Sequence, residues 1–209
     1  MTLSPLLQKT AWIVLAVLSI LIGLYPALYF LVDMSAGLLS TKSSTLLANP
    51  VWNAGFYSHI FFGGITLLTG WVQFSKKLRD KNLKLHRRIG KVYVAAALIS
   101  ALSGIYIGVY ATGGVVSSAG FMSLGIIWFF TTLQAYRYAR AADVERHQKM
   151  MRFSYAACFA AVTLRLWMPF LIMATGDFVR AYQVVAWLCW VPNIAFVFLT
   201  QGSSKITAS

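Results

Sequence analysis

Only five acidic side chains occur in 209 residues, and even with 18 lysines and arginines the charged residues make up just 11% of the chain. So few charges cannot cover a soluble globule of this length. With 59% hydrophobic residues and a mean hydropathy of +0.70, the chain belongs in a bilayer. The acids fall in loops or at helix ends, which excludes paired carboxylates for hydrolysis or a di-metal site within the apolar runs. No phosphate-cradling glycine loop and no serine elbow occurs, and the soluble-enzyme classes are closed. The two cysteines, Cys158 and Cys189, lie in separate apolar runs and read as buried packing residues.

What is present is a series of long apolar runs: 11–32, 53–74, 89–112, 118–138, 150–174 and 181–200. Each meets the requirement of about 20 residues to cross a hydrocarbon core. The expectation is an all-α integral membrane protein, one domain over 1–209, with six transmembrane helices. The first run is longer than the ~7–15 residues of a signal core, and only Lys9 precedes it, so it reads as a retained helix bent at Pro26.

The net charge of +13 is distributed unevenly. Lys9, Lys205, the eight cations from Lys76 to Lys91 and the five from Arg137 to Arg152 fall on one side of the predicted spans. Lys42 and Arg180 fall on the other, and Arg165 lies within a span. This asymmetry predicts both termini in the cytoplasm and an inner (plasma) membrane location. The same cations attract anionic lipid head groups. No basic reading helix stands outside the membrane, so nucleic acid is excluded as a partner. A homo-oligomer or a partner in a membrane complex stays open.

The chain also repeats itself. At an offset of 61 positions Gln73 matches Gln134, Arg79 matches Arg140, His86 matches His147, Lys91 matches Arg152, and Ala95 and Ala96 match Ala156 and Ala157. The expected architecture is a duplicated two-helix hairpin, with units of about 53–112 and 118–174 related by an axis along the membrane normal and flanked by helices 11–32 and 181–200. Ala96, Ser100, Gly104 and Gly108 recur every four residues and predict close helix packing, with Gly63, Gly64 and Gly70 as candidates for the same on the preceding helix.

His86 and His147 open equivalent helices at equal depth. Two neutral imidazoles on facing helices suit one haem b held by a lone pair on each side of the iron. Arg87, Arg88, Lys91, Arg146, Lys149 and Arg152 around them suit haem propionates, lipid phosphates or another anion. Interfacial histidines and cations that meet only head groups and water give the same pattern. The third histidine, His59, stands about 15 residues from the inner end of its helix, roughly 22 Å away. Arg165 stands at a comparable depth, about 18 residues or roughly 27 Å beyond His147. A charged residue inside a span marks a site unless a polar bridge satisfies it, and Asp33, Asp177 and tyrosines are the candidate counter-groups. Three histidines at two depths form no tetrahedral zinc cluster, so no metal is expected apart from haem iron.

The phrases HRRIGKVY from His86, HQKMMRFSYA from His147 and AVTLRLWMP from Ala161, together with His59, resemble the bacterial multi-pass membrane proteins grouped as domain of unknown function 2306. The resemblance covers roughly residues 50–175 and implies that His59, His86, Arg87, Gly90, His147, Arg152 and Arg165 carry the family's activity. A weaker likeness runs to the six-helix ascorbate-reducing cytochromes b, whose four central helices hold two haems. Only the pair His86 and His147 has its counterpart here, because the helix opposite His59 has no histidine. Two function classes follow: a membrane redox or haem-handling protein with one haem near the cytoplasmic face, or a cofactor-free protein that binds lipid or another amphipathic anion or serves as an accessory subunit.

Overall fold

Helix ends in this chain are set by short polar side chains. Asn49 Oδ1 accepts from the amides of Val51 and Trp52 at 2.9 and 3.1 Å, with Pro50 at the first helical position where its missing N–H is not needed. Asn82, Asp143 and Asp177 cap three later helices in the same way, accepting from Leu85, Arg146 and Arg180. Gly113 and Gly176 sit at positive φ where helices start or stop.

The computed structural model describes residues 4–30 and 37–202, and every regular element among them is helical. α1 (Pro5–Leu24) tightens into a 3₁₀ turn, Tyr25–Phe30, around Pro26, where the sequence predicts a bend. The stretch 31–36, with Asp33 and the end of the first expected span, lies outside the described residues, as does Lys205. A 3₁₀ turn, Gly37–Thr41, and the short α2 (Ser44–Leu47) lead to α3 (Pro50–Gln73). α4 (Lys76–Lys81) connects it to α5 (Leu83–Gly108), and α6 (Gly114–Arg140) follows. The last two expected spans are each divided. α7 (Val144–Cys158) and α8 (Ala160–Thr175) meet at Phe159, and α9 (Phe178–Leu188) and α10 (Val191–Gly202) meet at Cys189 and Trp190. Pro192 accounts for the second break, since its ring opposes the carbonyl of Leu188, four residues earlier.

Five segments of the described residues are long and apolar enough to cross a membrane: Leu6–Tyr29, Leu83–Gly108, Gly114–Arg140, Val144–Thr175 and Phe178–Gln201. α3 is long enough at 24 residues, but Asn53, Ser58, His59 and Gln73 dilute its apolar character, and it is not among the five. Large apolar side chains are bare to the surroundings along these segments, with Phe196 and Phe198 at 68% and 69% exposure. A lipid solvent accounts for that surface; water does not.

α3 packs along α5 and α1, α5 along α6, and α6 along α7 and α9, while α8 rests on α9. Missing Cβ atoms permit these approaches. A methyl on Gly64 would stand 2.6 Å from the Gly23 carbonyl of α1, one on Gly70 would run into the Tyr155 ring, and one on Gly120 would stand 2.7 Å from the Ala186 carbonyl of α9. Between the helices lies a hydrogen-bonded layer. Tyr93 Oη meets Ser154 Oγ at 2.8 Å, Ser154 Oγ meets Thr132 Oγ1 at 2.7 Å, and Tyr155 Oη meets Ser19 Oγ at 2.7 Å. Cys158 and Cys189 are buried, free thiols.

Candidate functional site

The histidine pair lies at one end of the bundle. His86 is in the first turn of α5 and His147 in the first turn of α7, both half-buried, and each is within electrostatic reach of the other. The turn between α6 and α7 brings His147 Nδ1 to 2.9 Å from the carbonyl oxygen of Ala135. A carbonyl only accepts, so the neutral ring donates from Nδ1 and keeps its lone pair on Nε2. His86 Nδ1 is buried and has no hydrogen-bond partner among the described residues, and the same holds for Gln73 Nε2. Arg87, Arg88, Lys91, Arg146, Lys149 and Arg152 are exposed around this end. Of these, Arg146 is committed, with Nε 3.4 Å from Asp143 and its guanidinium 5.7 Å from the Tyr138 ring centre.

As ligands to a haem, the two imidazoles have the right chemistry, and His147 has the orienting bond such ligands usually make. The volume is less suitable. Inward from the pair, Tyr93, Met151, Ser154 and Tyr155 are buried and fill the space between the helices. No group of three or more histidine, cysteine or acidic side chains able to hold a metal occurs among the described residues.

Open volume is found toward the opposite end. A cavity of about 570 Å³ runs between α3, α5, α6, α8 and the turn after α1, within the range typical of small-molecule sites. Gly63, Ala101, Gly104, Gly125, Ala157 and Ala161 keep its walls back, and Trp52, Phe56, Trp128, Leu164 and Met168 make them apolar. His59 and Arg165 line it together, and Lys42 joins them from the segment after Gly37–Thr41. Lys42 was expected only as an outer-loop cation. Its fold places Nζ 3.0 Å from Thr112 Oγ1, and partial burial holds its pKa below the ordinary lysine range.

Arg165 is mostly buried. Its Nη1 donates to the Ala161 carbonyl at 2.7 Å, and its guanidinium carbon lies 4.5 Å from the centre of the Tyr25 ring. Tyr29 and Tyr182 are near enough to interact with its charge. Of the two carboxylates expected as counter-groups, Asp177 instead caps α9 through the Arg180 amide at 2.7 Å, and Asp33 lies outside the described residues. Among the described residues no carboxylate forms an ion pair with Arg165.

His59 is held firmly. Its Nδ1 lies 2.9 Å from the Ser100 carbonyl oxygen and 3.2 Å from Ser100 Oγ, and Ser100 Oγ donates to the His59 carbonyl at 2.9 Å. Gly104 makes room for the ring, since a Cβ there would stand 2.8 Å from Nδ1. The four-residue spacing of Ser100, Gly104 and Gly108 thus seats a histidine as well as a helix. Tyrosines were expected beside Arg165, and Tyr25, Tyr29 and Tyr182 are the ones that stand there; sequence reasoning missed Lys42 in this group.

The model of a family described as predicted membrane protein (DUF2306) matches residues 56–201, a stretch that holds both histidine ends and Arg165. No curated protein and no solved structure matches the chain.

Proposed function

Because the chain belongs to the DUF2306 family of predicted membrane proteins, whose description gives a membrane location and no reaction, we propose a function from the cavity: it binds an amphipathic molecule whose oxygen-rich, anionic head meets Arg165 and Lys42 and whose apolar part lies among the aromatic and aliphatic walls. The carrying observation is Arg165 itself. A cation at this depth costs about 2.5–3.5 kcal/mol or more unless something answers its charge. The tyrosine face and the Ala161 carbonyl answer part of it, and a ligand oxygen is suited to the remaining N–H donors.

In this reading α3 crosses the membrane as a sixth span, lying against α1 and α5 with His59 bonded to Ser100 of α5 and Thr66 and Gln73 buried. The paired hairpins α3–α5 and α6–α7 and the 61-residue offset of matching residues support a duplicated core. The cations of the α3–α5 and α6–α7 connections support an orientation in the plasma membrane with both termini in the cytoplasm, where they contact anionic lipid.

Thermal unfolding of the protein in nanodiscs, titrated with decanoate and decyl phosphate, tests the binding reading. Saturable stabilisation is expected, reaching about 2.7 kcal/mol at a hundred times the dissociation constant. Arg165→Leu should abolish it and Arg180→Leu, at an exposed position, should leave it intact. Equal responses from the two variants would overturn the proposal.

A second reading, one haem b between His86 and His147, is favoured by the Nδ1 bond of His147 to Ala135, which leaves Nε2 free. In it the pair holds the iron and the exposed cations Arg87, Arg88, Lys91, Lys149 and Arg152 serve the propionates. Such a group would supply one-electron chemistry.

A further inference from the structure

Resting on the binding reading above, we propose that the cavity's ligand presents a hydroxyl to His59 Nε2 and an anionic or carbonyl oxygen to Arg165, on a planar aromatic ring carrying an apolar tail. The tautomer of His59 decides the first part. Ser100 Oγ spends its single proton on the His59 carbonyl, which can only accept, so toward Nδ1 that hydroxyl offers a lone pair. The Ser100 carbonyl at 2.9 Å offers another. Two acceptors face Nδ1, so the proton of the neutral ring is on Nδ1 and Nε2 is a bare acceptor. His59 lines the cavity, and no protein partner to Nε2 is found among the hydrogen bonds of the described residues.

The cavity therefore carries an acceptor on the α3 wall and a donor on the α8 wall, within electrostatic reach of one another. A fully ionised carboxylate or phosphate satisfies Arg165 but puts lone pair against lone pair at His59. A hydroxyl satisfies His59. A head bearing both groups satisfies the two walls at once, and a buried acceptor left unpaired carries the full desolvation penalty. Trp52, Phe56 and Trp128 line the cavity and give a planar head aromatic neighbours.

Three probes on the protein in nanodiscs test this by calorimetry: 3-decyl-4-hydroxybenzoate, its methyl ether 3-decyl-4-methoxybenzoate, and decanoate. The hydroxy compound should bind about tenfold more tightly than the ether, which has the same charge and tail but no proton to donate. His59→Phe should erase that difference, and Arg165→Leu should weaken both aromatic probes. The probe pair on the unaltered protein decides the matter even where a variant fails to fold. Equal affinity for phenol and ether, or binding of decanoate alone, overturns the hydroxyl and leaves the binding reading standing. Binding of none of the three overturns both.

Discussion

The hydroxyls of Tyr93 and Ser154 meet at 2.8 Å, and the two residues stand 61 positions apart, the same offset that relates His86 to His147. Under the proposed duplication, such a contact is what an axis running between α5 and α7 would bring about. Ser154 also meets Thr132 at 2.7 Å, so its single hydroxyl serves two neighbours in a fully buried setting. Ser154→Ala leaves both without it and should lower stability by about 2–3 kcal/mol. Tyr93→Phe removes one partner while Ser154 keeps Thr132, and should cost about 1 kcal/mol. Thermal unfolding in a mild detergent measures both; equal losses would mean that the three hydroxyls do not act as a chain.

The orientation proposal has its own check. A reporter active only in the cytoplasm should work when fused after Ser209 or inserted near Lys81, and should fail near Ser43 or Gly114. Activity at Gly114 would reverse the α5–α6 connection and break the six-span reading, with α3 then lying along the bundle without crossing.

Close backbone approach predicts a graded response to one added methyl. At Gly64 the new Cβ would meet the Gly23 carbonyl at 2.6 Å, backbone against backbone, so α1 must separate from α3. Gly64→Ala should lower the melting temperature sharply or prevent recovery of folded protein. At Gly63 the nearest atom is Ser100 Oγ at 3.2 Å, a side-chain atom at a longer distance. Gly63→Ala should cost under about 1.5 kcal/mol. Similar behaviour of the two variants in yield and melting would show that α1 does not rest on α3 as described.

Hydropathy made the long helices legible because a bilayer demands apolar runs of fixed length, but the caps at Asn49, Asn82, Asp143 and Asp177 start α3, α5, α7 and α9 ahead of the apolar runs that begin at 53, 89, 150 and 181. Helix depth, counted at about 1.5 Å per residue, puts His59 and Arg165 at comparable levels, and both line the cavity. The cavity itself was not legible. It arises where Gly104, Gly125, Ala157 and Ala161 from different helices happen to face each other, and such facing depends on helix rotation, which a weakly amphipathic membrane helix does not encode. Lys42 was missed for a related reason, since the path of the segment between α1 and α3 decides whether it returns to the bundle. The step at Phe159 between α7 and α8 has no proline or glycine to announce it.

The histidine pair separates the two function classes most directly. If His86 and His147 clasp one haem, the protein purified after expression with ample haem should show the reduced-state spectrum of a low-spin, six-coordinate b-type centre. His86→Ala and His147→Ala should each abolish or convert it, because losing either lone pair leaves five-coordinate iron or free haem. His59→Ala should leave it nearly unchanged, since that ring serves the other end of the bundle. The packing of Tyr93, Met151 and Tyr155 inward from the pair argues for the opposite result, a colourless protein. In that case the exposed cations at this end are left to the lipid surface, and binding to anionic vesicles should weaken steeply as salt rises from about 0.01 to 0.15 M, where the screening length falls from roughly 30 to 8 Å. A colourless protein whose vesicle binding ignores salt would deny both roles to the histidine end and leave the Arg165 cavity as the working part of the molecule.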